Sequence, residues 1–554
     1  MRRLWRPRRP PDPQIGAPQS PHLDAVLACA ALPALLLIPP IYVLVRTGYP
    51  WWRAESYLLV AGPLSVAASV LLLRRRLPRL WRLSTLAAFA YVLLYFLMLE
   101  GGAPVHQPAW KLASAIPVYI LAALLIVRLK TKGLTILGAA ATAFLLSIIF
   151  ASSPRIPAVK VTGDLPPGNK SLPPIIHIVL DEHTGVAQVP PHTVPAMARA
   201  LASFRVYPDS YSTFSYTPFS MFTALNPDYS PDASWAVSYD KRDNSWRLPK
   251  NQWIDALKQK GYVVSVHQPR FIDYCSMATS IDRCYIYNSS NLSILDSLEL
   301  GALTKWLYLL RKTIPHAINR QARSLGAAAS FSAIEDVMTQ LRTGSRGRLF
   351  FVHLMIPHAP FLYDASCRLK NPLGWTRYEL TRRRKKDEFL HLYFDQMNCA
   401  WLQIERLLTM LDGLSEAADA LILIHGDHGA RFFGAVGFDT PGDLAQFNRV
   451  PGLSEEFAVD QFATLLALRA PDIDRDSREG RISVQQTIAS LLGNCDQQEN
   501  QVPTGYVLMD HARIFVERPN PGLIPFALPP LDSAPASLPC SSFTQTQLTS
   551  PQVK

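Results

Sequence analysis

Two hydrophobic patterns divide this chain. Up to residue 150, five long apolar runs stand out: Ala25–Val45, Ser56–Leu73, Ser84–Leu99, Leu112–Val127 and Leu134–Phe150. Each is about the length a helix needs to cross a bilayer, the shorter ones marginally so. A cleaved leader would carry one such run and a cleavage site, so the pattern predicts a five-helix transmembrane bundle over 25–150 behind a cytoplasmic segment at 1–24. Farther on the apolar runs shorten. Ile175–Leu180, Tyr262–His267, Leu349–Met355 and the start of Leu421–Gly429 read as strands buried on both faces. Helical patterns lie between them at Val194–Phe204, Trp253–Lys260 and Asp387–Leu411, the last with Leu402, Ile404, Leu407, Leu408 and Leu411 on its apolar face. Strands alternating with helices predict a three-layer α/β/α domain with a mostly parallel sheet over 175–518. Residues 151–174, rich in Pro, Gly and Lys, read as a linker, and 519–554, rich in Pro and Ser, as an extended tail.

Charge adds an orientation. Arg2, Arg3, Arg6, Arg8 and Arg9 precede the first run, Arg74, Arg75, Arg76, Arg79 and Arg82 separate the second from the third, and Arg128, Lys130 and Lys132 separate the fourth from the fifth. The alternate loops are poorer in basic residues and carry Trp51, Trp52 and Trp110, as membrane interfaces do. Basic loops stay in the cytoplasm, which puts 152–554 outside. These 13 basic residues account for the formal net charge of +12, so the basicity signals topology rather than a nucleic-acid partner.

Cysteine usage agrees. Cys29 lies in the first apolar run, leaving Cys275, Cys284, Cys367, Cys399, Cys495 and Cys540 on the far side. An even six in an oxidising compartment suggests three disulfides. Pairing in sequence order closes the shortest loops: 275 with 284, 367 with 399, 495 with 540.

The chemistry collects where the buried strands end. Asp181 and Glu182 follow the first, His358 comes shortly after the third, and Asp427 and His428 sit at the end of the fourth. Ligands bind beyond the carboxyl ends of such strands. A carboxylate and an imidazole side by side suit a zinc-like ion, whereas magnesium prefers oxygen alone. Between the strands, Tyr207–Ser220 is dense in hydroxyls, and Thr213, Ser215, Thr217 and Ser220 are all candidate nucleophiles. Thr217-Pro218 is a plausible entry to a helix whose N–H groups would face an anion.

The ordered set LDEHTG, YSTFSYTPFSMFTAL, HLMIPHAPF and GDHG resembles the alkaline phosphatase/sulfatase superfamily. Membrane spans followed by an exported domain are similar to the bacterial phosphoethanolamine transferases and lipoteichoic acid synthases within it. The resemblance implies an alkaline phosphatase-like fold and a metal held by a carboxylate after the first strand, a nucleophilic side chain and an Asp-His pair. Asp181 best matches the first ligand, with Glu182 the alternative, and Asp427 and His428 match the pair. Thr217 matches the nucleophile, because Ser220 and Thr223 follow at the family's spacing and Tyr207-Pro208-Asp209 lies ten residues upstream. The metal is expected to be Zn²⁺, with Mn²⁺ as the alternative. His358 would hold a phosphate oxygen or protonate the leaving alkoxide. Sulfatases proper need a Cys in a CxPxR setting, and no Cys here has one, which argues against sulfate-ester hydrolysis.

There are departures. The only His after His428 is His511, which does not match the family's further His, and Arg431 would stand in for it. No Gly closes the nucleophile segment, where Asn226-Pro227 appears instead. These bear on the head group more than on the phosphoryl chemistry. The function implied is a multi-pass enzyme of the bacterial inner membrane. It moves a phosphoryl-linked head group, of phosphoethanolamine or phosphoglycerol type, from a membrane phospholipid donor to an envelope lipid or glycan acceptor, through a phospho-threonine. Transfer to water is the alternative reaction, and a non-catalytic envelope protein on the same fold is the rival from another class.

Overall fold

The structure, a computed structural model, describes residues 21–99, 116–121, 123–124, 127–128, 131–150, 157–227, 237–240, 243–276, 280–314, 325–372, 375, 386–431, 455–471, 473, 482–493, 504–508 and 523–527. The chain divides into two units: Met1–Arg46 with Trp51–Ser153 and Lys312–Ile318, and Thr47–Pro50 with Pro154–Arg311 and Asn319–Lys554.

The first unit is helical, with α1 (Pro21–Thr47), α2 (Ala54–Leu73), α3 (Pro78–Leu99) and α4 (Thr131–Phe150). Leu32, Leu35, Ile38, Trp81, Val92 and Leu134 belong to its buried cluster. Gly138 lets α4 approach α1 closely, since a Cβ there would stand 1.9 Å from Leu27 O. The outward surface is apolar too, with Leu72 83% and Phe150 76% exposed, a surface suited to lipid rather than water. Among the described residues, three helices are long and apolar enough to cross a membrane: His22–Thr47, Ala54–Leu73 and Thr131–Phe150. The expected span at Ser84–Leu99 does form a helix, but α3 starts earlier and takes Arg79 and Arg82 into its first turns. Part of the run Leu112–Val127 lies outside the described residues. The apolar helices of the first unit fit a membrane anchor.

The second unit is built on an eight-stranded sheet. Its strands are β1 (Val159–Gly163), β2 (Ile175–Leu180), β3 (Arg205–Val206), β4 (Val263–Pro269), β5 (Arg283–Tyr287), β6 (Arg348–Leu354), β7 (Leu421–Gly426) and β8 (Leu466–Arg469). Their order is β1-β5-β4-β6-β2-β7-β8-β3. The five from β5 to β7 run parallel, while β1, β8 and β3 pair antiparallel at the margins. Strands β2 and β7 are buried at every position, as a parallel sheet covered on both faces requires.

Helices cover both faces. On one lie α5 (Thr217–Leu225), α6 (Gln252–Gln259) and α9 (Val484–Leu492), whose Phe219, Phe222, Trp253, Leu257 and Ile488 share one core cluster with Ile175, Val179 and Leu423. On the other lie α7 (Gly326–Thr343) and α8 (Lys386–Asp412). Local signals fix the helix ends: Asn251 caps α6 by accepting from Ile254 N–H, and Ser483 and Gln486 form a capping box on α9. The second unit is thus a three-layer α/β domain with a mostly parallel sheet.

Two stretches outside 175–518 also carry strands. The stretch read as a linker contains β1, whose backbone pairs with β5 from Val159↔Tyr287 to Gly163↔Arg283. Its mostly exposed side chains give no apolar signal. The stretch read as an extended tail contains the strand Leu523–Ala527, paired antiparallel with Thr504–Leu508. Cys275–Cys284 and Cys367–Cys399 are bonded as expected, while the pairing of Cys495 with Cys540 lies outside the described residues.

Candidate active site

The three central strands β6, β2 and β7 end level with one another: Leu354 pairs with Leu180, and Leu180 with Gly426. The ladder runs one step further, with Asp181 N–H donating to Leu354 O (2.9 Å) and Asp427 N–H to Leu180 O (3.4 Å). Two carboxylates are therefore delivered next to each other by sheet register alone. Asp427 Oδ1 then accepts from the N–H of Glu182 (2.9 Å) and of His428 (2.9 Å), which closes both turns on one side chain.

The glycines around the Asp-His pair are there for space. A Cβ on Gly426 would stand 2.1 Å from Thr464 Oγ1 and 2.6 Å from His183 O, and one on Gly429 would stand 2.2 Å from Asp460 O. Thr464 Oγ1 fills the gap and donates to His183 O (3.0 Å) and His428 O (3.3 Å). His428 Nδ1 lies 2.8 Å from Gly429 O. Nδ1–H donates there, and Nε2 keeps its lone pair for the site.

Thr217 opens α5, with Pro218 in the first turn, where a missing N–H costs nothing. Its Oγ1 lies 3.2 Å from His428 Nε2. Ser220, one turn on, donates to Asp427 O and ties the helix to the turn after β7. Thr223 Oγ1 bonds back to Ser220 O (2.9 Å) and Phe219 O (3.1 Å). Of the rival hydroxyls, Thr213 is engaged with Gln485 Oε1 (3.2 Å).

Asp181, Asp427 and His428 each offer one ligand atom, all within 4.8 Å of one another, and all three are buried. Among the described residues, Asp181 Oδ1 and Asp427 Oδ2 have no hydrogen-bond partner, although His428 Nε2 is 3.2 Å from the latter. Burying carboxylate oxygens without donors is costly, and a cation between them removes that cost. Burial pushes the Asp181 carboxyl well above its ordinary range, and the neighbouring Asp427 and Glu182 carboxylates push the same way. Burial acts on Asp427 too, but His428 and His353 beside it hold that carboxyl below the usual range. Burial also lowers His428, which favours the neutral ligand form. Two carboxylates and an imidazole fit a divalent metal.

Glu182, the alternative first ligand, is turned elsewhere. It has φ 61° and Arg431 has φ 55°, both left-handed. That conformation costs non-glycine residues energy and clusters at functional sites. The two turns bring their side chains together, with Arg431 Nε donating to Glu182 Oε1 (3.0 Å). His358 Nε2 stands 3.8 Å from the same oxygen. Burial pushes Glu182 up, but His358, Arg431 and His428 outweigh it and keep it ionised. Asp181, Thr217, Asp427 and His428 thus form one cluster, and His358 faces it across Glu182.

The Sulfatase family model matches residues 175–461, more than half of the chain, and the chain belongs to the Sulfatase family, within the alkaline phosphatase-like superfamily. By class it is a sulfatase-like phosphotransferase or hydrolase. Among solved structures it is similar to the C-terminal periplasmic domain of EcEptC from Escherichia coli in complex with Zn (14% identity, 63% of this chain and 92% of that one, TM-score 0.36). It is also similar to the C-terminal periplasmic domain of the phosphoethanolamine transferase EptC from Campylobacter jejuni (12%, 58% and 89%, TM-score 0.36). The phosphonate monoester hydrolase of Agrobacterium radiobacter is a third (12%, 58% and 74%, TM-score 0.38). No curated protein matches the chain by sequence.

Proposed function

We propose that this chain is a membrane-anchored, metal-dependent transferase that moves a phosphoryl-linked head group from a phospholipid to an envelope lipid or glycan through a phospho-threonine at Thr217. The observation that carries the reading is the Thr217 hydroxyl 3.2 Å from His428 Nε2, beside three buried ligand atoms. Held by Asp181, Asp427 and His428, a divalent cation, Zn²⁺ or alternatively Mn²⁺, would supply a Lewis acid that lowers the pKa of the Thr217 hydroxyl. Thr217 Oγ1, having given its proton to solvent, attacks as the alkoxide and bonds to phosphorus as the bond to the donor's glycerol oxygen breaks. His358 Nε2–H protonates that leaving oxygen. The acceptor hydroxyl then gives its proton to the neutral His358 and displaces Thr217 Oγ1, restoring both groups. Arg431, held by Glu182, presents positive charge to the phosphate.

Apolar helices support a lipid donor, and two disulfides support an exported domain. With the basic loops between the N-terminal apolar runs, they favour a multi-pass protein of the bacterial inner membrane with residues 152–554 on the outer side. Retention of all four cluster side chains argues against a non-catalytic protein on this fold. The test compares envelope lipids and glycans by mass spectrometry with and without the protein. The expected result is an acceptor heavier by one phosphoryl head group together with released diacylglycerol. Free head-group phosphate with no modified acceptor would make the chain a hydrolase instead.

A further inference from the structure

His358 sits on a loop that cannot hold itself. Pro357 and Pro360 bracket it and have no N–H, so the loop has few backbone donors of its own. The donor comes from α8. Gln396, fully buried, places Nε2 3.2 Å from Pro357 O, 2.9 Å from His358 O and 3.3 Å from Pro360 O. Its Oε1 accepts from Leu362 N–H (2.7 Å). Just beyond it on α8, Asn398 donates to Ala365 O (2.7 Å) and Cys399 is bonded to Cys367, so the whole loop is pinned to one helix. His358 Nδ1–H donates to Ala359 O, which leaves Nε2 to face Glu182.

The same helix reaches the other side of the site. Tyr393, one turn before Gln396, donates to Glu182 O (2.7 Å) and accepts from Thr184 N–H (3.0 Å). Trp401 Nε1 donates to His183 Nε2 (2.9 Å). Residues three or four positions apart on a helix share a face, so Tyr393 and Gln396 turn one polar edge of α8 toward both turns.

We infer that Gln396 is the positioning residue of His358, fixing its Nε2 where it protonates the leaving oxygen of the donor. The inference rests on the role given to His358 above. Gln396 touches no reacting atom and acts only through the loop carbonyls, so its contribution scales with the need for a proton. That need is large when the leaving group is a diacylglycerol alkoxide and small when it is p-nitrophenolate.

The test uses the full-length, metal-loaded chain in detergent and follows single-turnover release from two phosphodiesters with one head group, short-chain phosphatidylethanolamine and p-nitrophenyl phosphoethanolamine. The corresponding phosphoglycerol pair serves equally. His358→Ala is expected to slow the lipid roughly 10²-fold or more and the p-nitrophenyl ester hardly at all. Gln396→Ala is expected to slow the lipid about 10-fold, spare the ester, and add nothing in the His358→Ala background. Gln396→Glu keeps the acceptor for Leu362 N–H but removes the donor, so it behaves like Gln396→Ala if the alanine variant fails to fold. Metal content stays at the wild-type level throughout. Equal losses on both substrates, or a further loss in the double variant, would make Gln396 merely structural and overturn the inference. If His358→Ala itself shows no dependence on the leaving group, the acid role fails and this inference fails with it. A leaving-group effect in His358→Ala but not in Gln396→Ala sinks the positioning claim alone.

Discussion

The two halves of this site are held in different ways. Asp181, Asp427 and His428 follow directly on central strands, and the hydrogen-bond ladder that aligns β6, β2 and β7 also aligns them. His358 comes four residues after the end of its strand, past the reach of the ladder, and depends on a helix for its place. A side chain next to a strand inherits the precision of the sheet. One that stands off needs a brace, and here the brace is α8 with its buried Gln396 and the Cys367–Cys399 bridge. Damage to the two halves should therefore look different.

The largest effect is expected on the sheet side. His428→Ala removes a proposed ligand but leaves the ladder, both described disulfides and the core intact. Metal affinity is expected to fall roughly 10–100-fold or more while the melting transition of the metal-free protein stays close to wild type. Metal analysis after dialysis against a weak chelator reads this directly. Full metal content in a folded His428→Ala protein would remove the basis for calling these side chains ligands.

A smaller effect is expected away from the site, where the sheet also buries polar groups. His267 on β4 is fully buried among Ser265, Tyr287 and Gln340, and burial lowers it to about 3 from the ordinary imidazole value of 6.5. Because the folded value is depressed, the neutral ring is the stable form. Above pH 6.5 there is no penalty; below it the unfolded chain takes up a proton that the folded chain refuses, and stability falls until about pH 3. Between pH 6.5 and 5 this amounts to about 2 kcal/mol. In urea unfolding, His267→Gln should lose correspondingly less stability than wild type over that interval. Parallel losses in the two proteins would mean that His267 already titrates normally in the fold.

How much of this could be read from the chain follows the same division. Strands β2, β6 and β7 are continuous apolar runs because both faces are covered, so they stand out, and so do the functional residues that abut them. The marginal strands do not. β1 is mostly exposed, β3 is two residues long, and neither makes a pattern distinguishable from a loop. The partnership of Glu182 with Arg431 joins positions far apart in the chain and depends on two left-handed turns, which no local periodicity encodes. Gln396 is hidden for another reason. In a helix recognised by its leucines, a polar residue reads as part of the solvent face, and only the loop packed against it shows that it points inward.

Thr217 remains the most exposed assignment, since it selects one hydroxyl among Thr213, Ser215, Thr217 and Ser220. The most direct measurement is peptide mapping of the full-length protein quenched during turnover with a phospholipid donor and no acceptor. A mass increment of one phosphoryl head group is expected on the peptide containing Thr217. Fragmentation should place it on that residue, and Thr217→Ala should lack it, with turnover reduced by roughly 10⁴–10⁶-fold. An increment on Thr213 or Ser215, or normal turnover by Thr217→Ala, would contradict the covalent phospho-threonine on which the proposed reaction is built.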